Sequence, residues 1–152
     1  MIKVLGIDPG LSQSAVVGWD GLSIERIGII ENNLLLSRLK TFSKFHVAIE
    51  TMQCFGMAVG QSVLDTAIWV GRFIQECERW KILWSTVFRK DIKLHLCHTT
   101  RAKDSNVRQA LVNRFGEKGT KKNPGLTYGL KGDMWSAFAI SVYQFDMNEQ
   151  RE

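Results

Sequence analysis

Seven residues near the start of the chain, Ile2-Lys3-Val4-Leu5-Gly6-Ile7-Asp8, form an apolar, β-branched run that is closed at once by Pro9-Gly10. A run this short, bounded by turn residues, reads as a strand buried in a sheet. It ends on a carboxylate, and burying a charge is costly unless that charge is paired or held by a cation. His46-Val47-Ala48-Ile49-Glu50 repeats the pattern, again with an acid at the end and no turn signal after it. The chain must therefore fold so that buried strands deliver acidic side chains to the edge of a sheet.

Around these two runs the remaining pattern is that of one α/β domain over residues 1–152. Ala15–Trp19 and Ile24–Ile30 read as strands joined by a tight turn at Asp20-Gly21, which makes a three-strand meander with the first run. Residues 32–44 carry leucines and Phe42 at helical spacing. From Gln61 to Trp80 the positions Val63, Ala67, Ile68, Gly71 and Ile74 predict a long helix. Strand-like stretches follow at 82–88 and 92–97, then a helix over Asp104–Phe115 with Val107, Ala110, Leu111 and Phe115 on one face. Gly116 to Lys131 is a Gly/Lys-rich loop, expected to be flexible. A final helix begins near Asp133 with Met134, Phe138, Val142 and Phe145 as its apolar face.

Three cysteines (Cys54, Cys77, Cys97) at wide spacing make neither a disulfide framework nor a zinc motif. In His95-Leu96-Cys97-His98 the strand reading turns His95 and Cys97 to one side and Leu96 and His98 to the other, as core or edge-strand residues. There is no signal-peptide pattern and no apolar run of membrane-spanning length, so a soluble, intracellular protein with no membrane partner is expected.

Charge is unevenly distributed. The net charge is +5, yet residues 79–131 hold 13 basic side chains against three acidic ones, Asp91, Asp104 and Glu117. A basic stretch within a folded domain suggests a polyanionic partner, nucleic acid first. Arg89, Lys90, Arg101, Arg108 and Arg114 lie in that stretch without a recognisable motif. Lys118, Lys121 and Lys122, in the loop with Gly116, Gly119 and Gly125, are candidates for clamping backbone phosphates.

Asp8 and Glu50 at strand ends and Asp133 at a helix start could converge on one edge of an α/β sheet. Each has a simpler explanation open to it alone. Asp-Pro-Gly is good turn chemistry, and an aspartate opening a helix is an ordinary N-cap. Together they make an oxygen-rich set suited to Mg²⁺ or Mn²⁺, and beside a basic strip that chemistry is phosphodiester cleavage.

Gly6-Ile7-Asp8-Pro9-Gly10, the Ala48-Ile49-Glu50 strand end and Gly132-Asp133-Met134-Trp135-Ser136-Ala137 resemble, in order and across nearly the whole chain, RuvC-type Holliday junction resolvases, particularly their phage-type relatives. These are nucleases of the ribonuclease H-like superfamily. The resemblance implies a mixed central sheet flanked by helices and a structure-specific endonuclease acting on four-way DNA junctions. It implies catalytic Asp8, Glu50, Asp133 and Lys103, with the three acids as ligands of Mg²⁺ or Mn²⁺ and no small-molecule cofactor. Lys93 and Lys103 match the family's two-lysine region and would meet phosphate. Paired cuts imply a homodimer, formed through the helix after Glu50, for which Val59, Val63, Ile68, Val70 and Phe73 offer apolar surface. The implied setting is a bacterial or phage-infected host cytoplasm.

Two positions depart from the family. A fourth metal ligand is common three residues before the last aspartate, where this chain has Leu130. The family's base-stacking aromatic after the glutamate is displaced here to Phe55, for which stacking and core packing both stand open. A related nuclease for flaps or RNA precursors, or a junction-binding protein without catalysis, fits the same residues. An actin-like ATPase would need a second lobe for which there is no room.

Overall fold

The computed structural model describes residues 2–151. Five strands, β1 (Lys3–Asp8), β2 (Gln13–Trp19), β3 (Ile24–Glu31), β4 (Phe45–Thr51) and β5 (Trp84–Phe88), form one sheet in the order β3-β2-β1-β4-β5. The meander β1–β2–β3 is antiparallel, while β4 and β5 join parallel to β1 and to each other. Parallel neighbours need crossovers. Those are supplied by α1 (Asn32–Arg38), which continues as a 3-10 turn over Leu39–Phe42, and by α2 (Gln61–Arg79). Three further helices complete the fold: α3 (Arg89–Cys97), α4 (Asp104–Phe115) and α5 (Met134–Glu149).

The two-residue period of the strands divides the core into two layers. Leu5, Ile7, Val16, Val47 and Ile49 face α1 and α2, where they meet Leu35, Leu39, Phe42, Val70, Phe73 and Cys77. Val4, Ala15, Val17 and Ala48 face α5 and pack with Phe138, Ile140, Val142 and Phe145. Small side chains on that second face let α5 lie close. At Gly6 a Cβ would stand 2.2 Å from the Ala137 carbonyl oxygen and 2.8 Å from the Ser141 nitrogen, so only glycine permits the approach. Asp8 is two residues beyond Gly6, and Glu50 two beyond Ala48. Because Gly6 pairs with Ala48 and Ile7 with Ile49, the next step of that register sets Asp8 beside Glu50 on the α5 face.

α5 is buried along nearly its whole length, not only on the face marked by Met134, Phe138, Val142 and Phe145. Two of its polar side chains, Gln144 and Asn148, join His46 and Ser85 in a hydrogen-bonded circuit. Ser85 Oγ donates to Gln144 Oε1 (2.8 Å), and Gln144 Nε2 donates to Asn148 Oδ1 (2.9 Å). Asn148 Nδ2 donates to His46 Nδ1 (3.0 Å), which leaves His46 Nε2 to donate to Ser85 (2.9 Å) and close the circuit. Burial holds His46 below its ordinary 6.5, so the neutral ring is the favoured form.

Several expectations need correction. Residues 92–97 are helical, not a strand. Ile92 is buried and Leu96 packs on the core, whereas Leu94 between them is half exposed, a four-residue spacing that alternation of Ile, Leu and Leu disguised. His95 therefore points to Asp146 (2.7 Å), which also takes two bonds from Arg114 (2.6 and 2.9 Å). Burial pushes the Asp146 carboxyl up, but these donors outweigh it and hold the group below its ordinary 3.8. In α2 the buried ridge is Val70, Phe73 and Cys77, so Val70 and Phe73 are not spare surface, while Leu64 and Ile68 are exposed. The Gly116–Lys131 loop holds a small hairpin. Gly119 bridges to Pro124, Thr120 and Asn123 exchange backbone bonds, and a Cβ at Gly125 would meet the Glu117 carbonyl oxygen at 2.1 Å. Among the described residues no helix is long and apolar enough to cross a membrane.

Candidate active site

Asp8 leaves β1 into the Pro9-Gly10 turn, and that turn is fastened by a buried asparagine rather than by Asp8. Asn32, fully buried, donates through Nδ2 to the Gly10 carbonyl (2.9 Å) and accepts from Ser14 Oγ (2.6 Å). Asp133 immediately precedes α5 yet makes no capping bond with its side chain. The simpler roles open to the two aspartates, turn former and helix cap, are thus filled by other groups or not filled at all. Burial, then the charge of Glu50, pushes the Asp8 carboxyl up to about 7; Arg89 opposes this, while Asp133 and a hydrogen bond shared with Glu50 add to it. Glu50 and Asp133 are thus both close enough to Asp8 to oppose its ionisation.

Their neighbour is Arg89, the first residue of α3, set there because β4 and β5 pair through Thr51 and Phe88. Its guanidinium grips both oxygens of Glu50, from Nε at 2.7 Å and Nη2 at 3.0 Å, and its third nitrogen, Nη1, reaches Asp104 Oδ1 at 2.6 Å. A planar fork of donors matches a carboxylate in this way, and a lysine could not.

Two hollows meet at this ion pair. One, of about 310 Å³, is walled by Glu50, Arg89, Lys93, Asp104, Arg108 and Asp133. The other, of about 180 Å³, contains Asp8, Pro9, Glu50 and Arg89. Within the larger hollow the Arg108 guanidinium lies 4.6 Å from the centre of the Trp135 ring, a stacking contact that fixes a cation on the wall.

Of the predicted cations Lys93 lines the larger hollow. Lys103 does not: it precedes α4, exposed, with its backbone nitrogen bound to Asn106, and its neighbour Asp104 faces the hollow instead. Lys118, Lys121 and Lys122 are exposed on the hairpin and line neither hollow. Phe55 is not in the core. It is 67% exposed at a turn closed by the Met57 nitrogen on the Cys54 carbonyl, holds a left-handed φ of 50°, and has the Lys90 ammonium 5.5 Å from its ring. Leu130 is buried in the core and supplies no ligand. Arg89, Arg108 and Asn32 were invisible as site residues in sequence, since an isolated arginine or asparagine carries no pattern.

The donor set suits a hard divalent cation: three carboxylates, with burial that a cation would relieve. Among the described residues no three Asp, Glu, His or Cys side chains already surround a common point, and both Glu50 oxygens are engaged by Arg89.

A mixed sheet flanked by five helices, with acids gathered at the ends of β1 and β4 and the start of α5, is the ribonuclease H-like fold. The chain is similar to Thermus thermophilus RuvC in complex with a Holliday junction substrate, at a TM-score of 0.75 and 14% identity, over 99% of this chain and 96% of that one. A second Thermus thermophilus RuvC structure gives a TM-score of 0.71, again at 14% identity, over 96% of each chain. At this identity the likeness is one of fold. No family model matches the chain, and no curated protein sequence does.

Proposed function

We propose that the chain is a divalent-metal-dependent endonuclease that cleaves branched DNA, four-way junctions first, as a homodimer. The observation that carries this reading is that Asp8 feels the charge of both Glu50 and Asp133, and that Glu50 and Asp133 line one hollow together with Arg89, Lys93 and Arg108. The RuvC structure solved with a Holliday junction substrate supports the choice of DNA.

Asp8, Glu50 and Asp133 would hold Mg²⁺ or Mn²⁺, which supplies water activation and charge neutralisation for phosphodiester hydrolysis when bound. Burial of Asp8 keeps its carboxyl poised to exchange a proton for a cation near neutral pH. Lys93 and Arg108 place positive charge along one wall of the hollow, where a phosphate backbone would settle. Lys103, outside the hollow, would serve the flanking backbone together with Lys118, Lys121 and Lys122, whose hairpin presents them on a fixed scaffold. Phe55, an exposed aromatic held in a costly backbone conformation beside Lys90, would stack on an unpaired base. Val59, Leu64 and Ile68, exposed on and before α2, would form the dimer contact.

A second reading, a junction-binding protein without cleavage, is favoured by the grip of Arg89 on Glu50 and by the buried Leu130. Incubating the chain with a labelled four-way junction, a flap and a linear duplex, with and without Mg²⁺ or Mn²⁺, separates the readings. Paired symmetric nicks in the junction alone support the resolvase. Flap cutting at an equal rate favours a broader nuclease, and tight junction binding with no metal-dependent cutting leaves the binding protein.

A further inference from the structure

Glu50 and Arg89 line both hollows, with Asp8 in one and Asp133 in the other. As long as the fork of Arg89 lies on Glu50, one guanidinium donor occupies each Glu50 oxygen and its positive charge opposes another cation there. The guanidinium has a second anchor, since Nη1 holds Asp104 independently of Glu50. Asp104 is far more exposed than Glu50, with 71% of its side chain open against 12%. The arginine can therefore give up the inner carboxylate without losing its outer one.

We propose that Arg89 is a latch with two positions: on Glu50 it excludes a divalent cation from the carboxylates, and once displaced it stays tethered by Asp104 and turns its fork to a phosphate of the DNA. This rests on the metal-dependent reading above and deepens it, by making cation and DNA binding mutually supportive through one side chain. Displacement leaves Glu50 free to join Asp8 and Asp133. It also leaves Nε and Nη2 unpartnered beside a hollow already lined by Lys93 and Arg108, and those two donors match two oxygens of one phosphate. An anionic group arriving there completes the exchange, because the guanidinium trades one carboxylate for another anion and is never stranded.

The test uses the purified full chain with Mn²⁺ alone as the probe, in titration calorimetry. Arg89→Gln keeps a polar side chain and removes the charge and fork. It is expected to bind Mn²⁺ about tenfold more tightly than the wild type, because a competitor has been deleted. Arg89→Lys, which retains a charge but no fork, serves if the glutamine variant does not fold, and is expected to bind Mn²⁺ more tightly than the wild type by a smaller factor. A residue that merely braced the site would do the reverse and weaken Mn²⁺ when removed.

Salt dependence of junction binding gives the second readout. Arg89→Gln is expected to lower the slope of log affinity on log salt by about one with Ca²⁺ present, and to leave it unchanged in a chelator, where the fork is on Glu50. Equal or weaker Mn²⁺ binding by Arg89→Gln, against a wild type that does bind, overturns the latch and leaves the metal-dependent reading standing. A slope change of equal size in Ca²⁺ and in chelator overturns the hand-over to phosphate. Absence of Mn²⁺ binding in both proteins overturns the latch and the metal-dependent reading together.

Discussion

On the α1/α2 face of the sheet the inward side chains are Leu5, Ile7, Val16, Val47 and Ile49, and they meet Leu35, Leu39, Phe42 and Phe73. On the α5 face the corresponding strand positions are Val4, Gly6, Ala15, Val17 and Ala48, and the helix comes in until its backbone touches β1. The first face is held by bulk. The second is held by close approach, supplemented by two polar clamps, the His46–Ser85–Gln144–Asn148 circuit and the Asp146–Arg114–His95 cluster. All three candidate acids belong to the close face. A site whose members come from two strands and a helix needs those elements at fixed separation, and close packing of backbone on backbone fixes it better than interdigitated aliphatic side chains.

The sharpest way to break this contrast is at Gly6. Gly6→Val is expected to cost 3 kcal/mol or more, about the upper range for overpacking a core, whereas Ile7→Val next to it on the other face costs about 1 kcal/mol. Denaturant unfolding of both variants measures the difference, and equal costs would remove the distinction between the faces.

Next in size is Asp146→Asn. It leaves Arg114 and His95 with a weaker acceptor in a half-buried setting and should lose about 2 kcal/mol at pH 7. Since the folded carboxyl lies below 3.8, the native contribution of Asp146 is complete above that value and disappears as pH falls through the folded pKa. The variant should therefore differ from the wild type at pH 7 and converge with it in strong acid.

A smaller effect comes from His46. Its folded pKa lies below 6.5, so it stabilises fully above that pH and loses its contribution as the solution is acidified beneath it. Protonation would set a donor at Nδ1 against the Asn148 amide and break the circuit. His46→Gln should cost about 1 kcal/mol at pH 7.5 and show a flatter stability profile between pH 6.5 and 5. An unchanged slope would mean that the circuit is not what the acid limb reports.

Smallest for the fold is Ile68→Ser on the exposed side of α2, expected to shift monomer stability by no more than about 0.5 kcal/mol. If α2 is the dimer contact, the same substitution should move sedimentation toward the monomer. An unaltered oligomeric state would place the contact elsewhere.

What the sequence disclosed and what it hid follow the same division. Strands ending in acids were legible because a charge after an apolar run has few ordinary explanations, and their shared face follows from a period of two. Asp133 was legible only in company, since an aspartate before a helix is usually a cap. The resemblance to RuvC-type enzymes agreed with the fold. Residues 92–97 misled because Ile92, Leu94 and Leu96 satisfy alternation and helical spacing alike, and only the helical packing onto α5 decides between them. Arg89 was hidden for a different reason. Its role depends on β5 pairing with β4, a contact across 39 residues that no local pattern encodes. Lys103, matched through the two-lysine stretch, stands exposed before α4, and it is the next residue, Asp104, that lines the larger hollow.

The central claim is that Asp8, Glu50 and Asp133 form one cation site that cuts branched DNA. Asp8→Asn tests it most directly, with metal-dependent cleavage of a labelled four-way junction and metal-free junction binding measured on the same preparation. Cleavage should fall by at least about a hundredfold while binding stays within about twofold of the wild type. Cleavage at the wild-type rate by a folded Asp8→Asn protein would contradict the account.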